Sequence, residues 1–156
     1  SLTGVSRSGR ERADFDKVYP VTELEKLLPE TDLLFMSLPS VSDTVNILNA
    51  DRMALLPKGA YVINVGRGTA IDQDALIKAL DSGHLAGAAL DVVVPEPLPA
   101  DHPLRKAKNL LLTPHVAGNM TLGYTCERNV QLFCENLENY AAGRPMHHLV
   151  DRRKGY

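Results

Sequence analysis

The sequence predicts an α/β fold: a parallel sheet with short helices on its faces, followed by one long helix. Three observations predict it. The runs Asp32–Leu38, Ala60–Val65, Gly87–Val94 and Asn109–Thr113 are apolar without clear alternation, as strands buried on both faces are. Helix-start residues, Asn49 and Asp72, open segments that lie between these runs. Strands that alternate with helices along a chain pair in parallel, because each crossover helix returns the chain to the same end of the sheet.

Taken in order, Leu2–Ser6 reads as a short first strand and Ser6-Arg7-Ser8-Gly9-Arg10 as a basic, flexible loop after it. Thr22 is placed to cap a short helix, Glu23–Leu28, which Pro29 follows. Pro39 stops the strand Asp32–Leu38. Asn49 caps Ala50–Leu56, and Pro57-Lys58-Gly59 turns the chain into Ala60–Val65. Asp72 caps Gln73–Leu80, whose Ala75, Leu76, Ala79 and Leu80 share a side, and Gly83 is placed as the stop. Gly87–Val94 and Asn109–Thr113 complete the strands. From Thr121 to Ala142 an apolar stripe (Cys126, Val130, Phe133, Leu137, Ala141) recurs at helical spacing, and Gly143-Arg144-Pro145 ends that helix. The tail His147–Tyr156 is polar and basic. The chain therefore divides into a sheet region, residues 1–120, and a helix with its tail, residues 121–156.

A chain of 156 residues is long enough for one domain with a real core. A formal net charge of −2 gives no electrostatic case for nucleic acid or an anionic membrane. No apolar run has the length of a membrane span, and the N-terminus has no signal-peptide pattern, which favours the cytoplasm. Cys126 and Cys134 lie two helical turns apart, too far to bridge within one helix, and are expected to be two buried thiols in a reducing compartment. No Cys/His cluster has zinc spacing, so no metal is expected.

Chemistry gathers after the strands. Arg67 stands between two glycines, which let the backbone approach a ligand, and its guanidinium can grip a carboxylate through two parallel hydrogen bonds. The bland alternative is a surface Arg in a turn. His115 follows Thr113-Pro114, and Glu96 lies between two prolines in another strand-end loop. A carboxylate beside the imidazole would keep it protonated near neutrality, ready to give a proton to a carbonyl oxygen; Glu96 read alone is equally a surface charge. Asp91 sits on an apolar strand and needs a polar partner if buried. His84, His102, His147 and His148 read as exposed, and Asp14, Asp16, Glu23 and Glu25 as a solvated face. In a dinucleotide-binding fold the loop after the second strand meets the adenosine ribose, where Arg tolerates the extra phosphate of NADP and an acidic residue selects NAD. Here that loop would offer Ser6, Arg7, Ser8 and Arg10, so NADP is favoured over NAD.

Together these residues resemble the D-isomer-specific 2-hydroxyacid dehydrogenases. The resemblance rests on GVSRSGR, DLLFMSLPSVSDTVNILNADRMALLPKGAYVINVGRGTAIDQDALIKAL, LAGAALDVVVPEPLPADHPL and LLLTPHVAG, which cover nearly the whole chain. The Arg-containing loop and the ending VDRRKGY are similar to the glyoxylate/hydroxypyruvate reductase branch. The resemblance implies Arg67 for the substrate carboxylate, His115 as acid/base and Glu96 as its partner. It also implies cofactor contacts from Leu38, Pro39, Thr44, Val65, Gly66, Asp91, Ala117 and Gly118. The implied reaction is hydride transfer from NAD(P)H to a 2-keto acid such as glyoxylate or hydroxypyruvate. D-lactate or a bulkier acid, and a non-catalytic corepressor on the same fold, are the alternatives.

The family's glycine-rich fingerprint precedes the stretch that matches Leu2–Arg10. The expectation is thus a partial Rossmann-like, doubly wound sheet without its first strand and glycine loop. Such a chain alone is expected to be inactive, to bind cofactor weakly, and to self-associate, as a homodimer or otherwise, through the unpaired edge of Asp32–Leu38.

Overall fold

A computed structural model describes residues 1–118 and 122–153. The chain divides into two compact units, Ser1–Pro114 and His115–Tyr156.

In the first unit, β1 (Thr3–Ser6) pairs in parallel with β2 (Lys17–Pro20). The second of these was not foreseen, since KVYP is short, half-buried at best and ends in proline. A four-stranded parallel sheet follows, in the order β3-β4-β5-β6, from β3 (Leu33–Met36), β4 (Ala60–Asn64), β5 (Leu85–Leu90) and β6 (Leu110–Leu112). The helices α1 (Leu24–Leu27), α2 (Ala50–Leu55) and α3 (Gln73–Asp81) lie between strands in sequence. Thr22 does not cap α1; the segment enters through a 3-10 turn, Val21–Glu23, with no side-chain cap bond, Pro20 preceding it. Asn49 and Asp72 do cap, accepting from the Arg52 and Ala75 amides at 3.0 Å each. Gly83 stops α3 with φ +70°, a conformation that costs glycine nothing.

The core lies on one face of the larger sheet. Met36, Val62 and Leu90 pack there with Met53 and Leu56 from the α2 segment and Leu76 and Leu80 of α3. The opposite face is open. Leu33, Phe35, Tyr61 and Leu111 are 52–62% exposed. The expectation that Asp32–Leu38 is buried on both faces is therefore corrected: only Met36 of β3 is buried, because α1, α2 and α3 leave Leu33 and Phe35 uncovered. β3 has β4 on one side and no strand on the other among the described residues.

The second unit holds α4 (Gly123–Ala141), ended by Gly143 at φ +65°. Thr121, the expected start of this helix, lies outside the described residues, as do residues 119, 120 and 154–156. The expected stripe is present, but no residue of α4 is buried: Val130, Phe133 and Leu137 are 53–68% exposed. Cys126 and Cys134 share that exposure, so the expectation of buried thiols is corrected. The tail folds back locally: the Asn136 amide donates to the His147 carbonyl and accepts the His147 N–H, at 3.0 and 2.7 Å.

Candidate functional site

In parallel sheets the strand ends point their backbone toward one edge, and loops there are free to carry chemistry. In the first unit these loops hold Leu38 and Pro39 after β3, Val65–Gly68 after β4, and Asp91–Glu96 after β5.

The turn after β4 is wedged between its neighbours. A Cβ at Gly66 would lie 2.5 Å from the Leu38 amide nitrogen, and one at Gly68 would collide with the Val93 backbone. Glycine is required at both because backbone meets backbone. Asn64, the last residue of β4 and fully buried, holds the turn from below. Its Oδ1 accepts the Gly66 N–H at 3.0 Å and its Nδ2 donates to the Arg67 carbonyl at 2.9 Å. Arg67 itself is exposed, with Nη1 donating to the Gly66 carbonyl at 2.7 Å.

The turn after β5 is fastened in the same manner. Gln73, first residue of α3, donates to the Val94 carbonyl at 2.5 Å and accepts the Val94 N–H at 2.9 Å. The Glu96 carboxylate is exposed and accepts the Val93 N–H at 2.9 Å. Arg67 and Glu96 thus stand on adjacent strand ends whose backbones touch at Gly68 and Val93. Asp91 is buried, and the partner its burial demands is Thr113, whose hydroxyl donates to Oδ1 at 2.5 Å.

The remaining expected positions vary in setting. Thr44 is buried, its hydroxyl 2.6 Å from the Pro39 carbonyl and 2.9 Å from that of Val41, which shapes the loop holding Pro39. Leu38 and Val65 are half-buried, and Pro39 is exposed. Ser6 accepts the Gly9 N–H at 3.1 Å, closing the loop that carries Arg7, Ser8 and Arg10, all exposed. Arg7 pairs with Asp43 at 3.5 Å, linking the loops after β1 and β3. His115 opens the second unit. It is exposed, with φ +55°, a left-handed backbone that His adopts more readily than most residues but that still marks a constrained position. Ala117 and Gly118 follow it, also exposed. Of the histidines expected to be solvated, His84 is instead half-buried, its Nε2 3.1 Å from the Met53 carbonyl. His102 is half-buried as well and accepts the Leu104 N–H at Nδ1, at 3.2 Å. Each ring supplies a hydrogen bond to nearby backbone.

Asn64, Gln73 and Thr113 were not singled out from the sequence. Asn64 had a readable signal, a lone amide closing the apolar run AYVI. Gln73 and Thr113 had none, since their partners are distant in sequence. Among the described residues no group of three or more His, Cys, Asp or Glu side chains could hold a metal, and no helix is long and apolar enough to cross a membrane.

Residues 1–117 match the family described as D-isomer specific 2-hydroxyacid dehydrogenase, NAD binding domain. The glyoxylate reductase of Thermofilum pendens is 43% identical over 109 residues, 68% of this chain and 32% of that protein. A D-isomer specific 2-hydroxyacid dehydrogenase from Xanthobacter autotrophicus Py2, solved with NADPH and MES, superposes with a TM-score of 0.86 at 38% identity, over 99% of this chain and 62% of that one. The NADPH-dependent glyoxylate/hydroxypyruvate reductase of Sinorhizobium meliloti, solved with NADP and sulfate, gives 0.86 at 32% identity, over 99% and 49%. The chain spans half or less of the length of the curated relatives it matches.

Proposed function

Since this chain belongs to the D-isomer specific 2-hydroxyacid dehydrogenase family, we propose that the polypeptide carrying it reduces a small 2-keto acid, glyoxylate or hydroxypyruvate, with NADPH in preference to NADH. The observation that carries the reading is the exposed Arg67 guanidinium on a turn wedged between the β3 and β5 loops, next to the loop of Glu96. A rigid turn that presents an exposed guanidinium suits a small carboxylate, which a planar guanidinium holds in a single orientation.

The residues present fit a dinucleotide. Arg7, Ser8 and Arg10 form an exposed cationic and hydroxyl-bearing loop suited to a ribose phosphate, and Pro39 and Gly66 border the ends of β3 and β4. The nicotinamide, when bound, supplies the hydride for the keto carbon. Arg67 binds the substrate carboxylate and fixes the face of the carbonyl. His115 gives a proton to the oxygen that becomes the hydroxyl, and Glu96 is the accompanying catalytic carboxylate. Asp91, held by the bond from Thr113, would hold the nicotinamide amide. The open sheet face and the exposed stripe of α4 support association of copies into a dimer. Exposed free thiols at Cys126 and Cys134 suit a reducing compartment, the cytoplasm; finding them disulfide-bonded in an isolated cell envelope fraction would contradict this.

The test is steady-state consumption of NADPH and NADH with glyoxylate and hydroxypyruvate, by the longest natural polypeptide that carries this sequence. Turnover favouring NADPH, and losing that preference in Arg7→Ala/Arg10→Ala, is expected. Turnover favouring NADH would overturn the cofactor assignment. No turnover with these or larger 2-keto acids would overturn the reaction.

A further inference from the structure

Asn64 is the most completely buried polar side chain of the first unit, and both ends of its amide are spent on one turn. We propose that Asn64 is a positioning residue for Arg67, setting where the guanidinium can reach by pinning the backbone on either side of it. The inference rests on the proposed reduction of a 2-keto acid.

Leu38 backbone walls the turn at Gly66 and Val93 backbone walls it at Gly68, so it cannot slide sideways. It could still tip up or down along the strand axis. Asn64 removes that freedom, because its Oδ1 takes the Gly66 N–H and its Nδ2 takes the Arg67 carbonyl, with a single amide plane joining them. The backbone of Asn64 also ties to the next loop, its carbonyl accepting the Asp91 N–H at 3.0 Å. A buried amide that satisfies both ends on adjacent peptide groups specifies one conformation, since any other leaves a buried polar atom unpaired. The Arg67 backbone is extended at φ −144° and ψ 140°. Its side chain therefore leaves the turn in a direction that Asn64 fixes.

The charge-changing near-isostere separates this role from packing. Asn64→Asp keeps the volume and the bond from Gly66 N–H, but sets a carboxylate oxygen against the Arg67 carbonyl. Asn64→Ser loses the donor to the Arg67 carbonyl and keeps only a hydroxyl acceptor for the Gly66 N–H. Both are compared in the natural polypeptide with Arg67 intact and in Arg67→Ala. With Arg67 intact, each is expected to raise the KM for glyoxylate about tenfold or more, with the KM for NADPH within about twofold. In Arg67→Ala the same changes should alter kcat/KM for glyoxylate by less than about twofold, because a residue acting through Arg67 has nothing left to act on. Equal losses in both backgrounds would overturn the inference, as would unchanged KM in folded variants. If circular dichroism shows that neither variant folds, Asn64 is a determinant of the fold and the positioning role is overturned. An unsubstituted polypeptide without turnover overturns the proposed function, and this inference with it; turnover with indifferent Asn64 variants overturns this inference alone.

Discussion

Thr113 donates a hydrogen bond across 2.5 Å to the buried carboxylate of Asp91, joining the ends of β5 and β6 two residues before His115. A charged acceptor in a low-dielectric setting makes such a bond stronger than a neutral one. Thr113→Val, which keeps the shape and removes the donor, should lower unfolding free energy by about 1–3 kcal/mol, and Thr113→Ser should recover most of it. Urea unfolding measures both. A loss below about 0.5 kcal/mol for Thr113→Val would mean that Asp91 is satisfied without the hydroxyl.

Two glycines with opposite surroundings give a paired prediction. Gly68→Ala places a Cβ into the Val93 backbone, which cannot yield without moving β5, and should destabilise by at least about 1–3 kcal/mol. Gly123→Ala, in the first turn of α4 with nothing within 4 Å and no positive φ, should stabilise by about 0.5–1 kcal/mol. Thermal unfolding of the two variants side by side decides; the same sign for both would refute the geometry.

The open sheet face should drive association. Phe35 and Leu111 present more than half their surface, on a face that α1, α2 and α3 leave uncovered. Light scattering of the chain at increasing concentration is expected to show self-association that Phe35→Lys with Leu111→Lys reduces. A monomer at high concentration before substitution would count against it.

At concentrations where the chain is monomeric, Cys126 and Cys134 should both react with a thiol reagent in the folded state, at rates near those of the unfolded chain. A native protein that titrates no thiols until denatured would restore the original expectation of burial.

Exposure of these thiols depends on what packs on α4, which no local pattern of residues records. Caps and stops are local, so Asn49, Asp72, Gly83 and Gly143 were legible from neighbouring residues. The parallel order of β3 to β6 followed from alternation of apolar runs with capped helices. Coverage is not local. The apolar residues Leu33, Phe35, Val130 and Phe133 declare only that they would be buried given a partner, and each is more than half exposed. Arg67 and Glu96 were legible as strand-end residues, and the structure adds the contact at Gly68 and Val93 that joins their turns. Gln73 and Thr113 act through bonds to groups 21 and 22 residues away, which no spacing in the sequence encodes, whereas Asn64 acts within its own turn.

The most direct measurement of the central claim is steady-state kinetics of glyoxylate reduction by Arg67→Ala and His115→Ala in the natural polypeptide. Arg67→Ala should raise KM for glyoxylate by about 10- to 100-fold, the loss of a charge-assisted pair, while NADPH binding persists. His115→Ala should lower kcat by about 100- to 10,000-fold with substrate binding retained, as loss of the proton donor requires. Both variants turning over like the unsubstituted protein would contradict the assignment of Arg67 and His115 to the reaction.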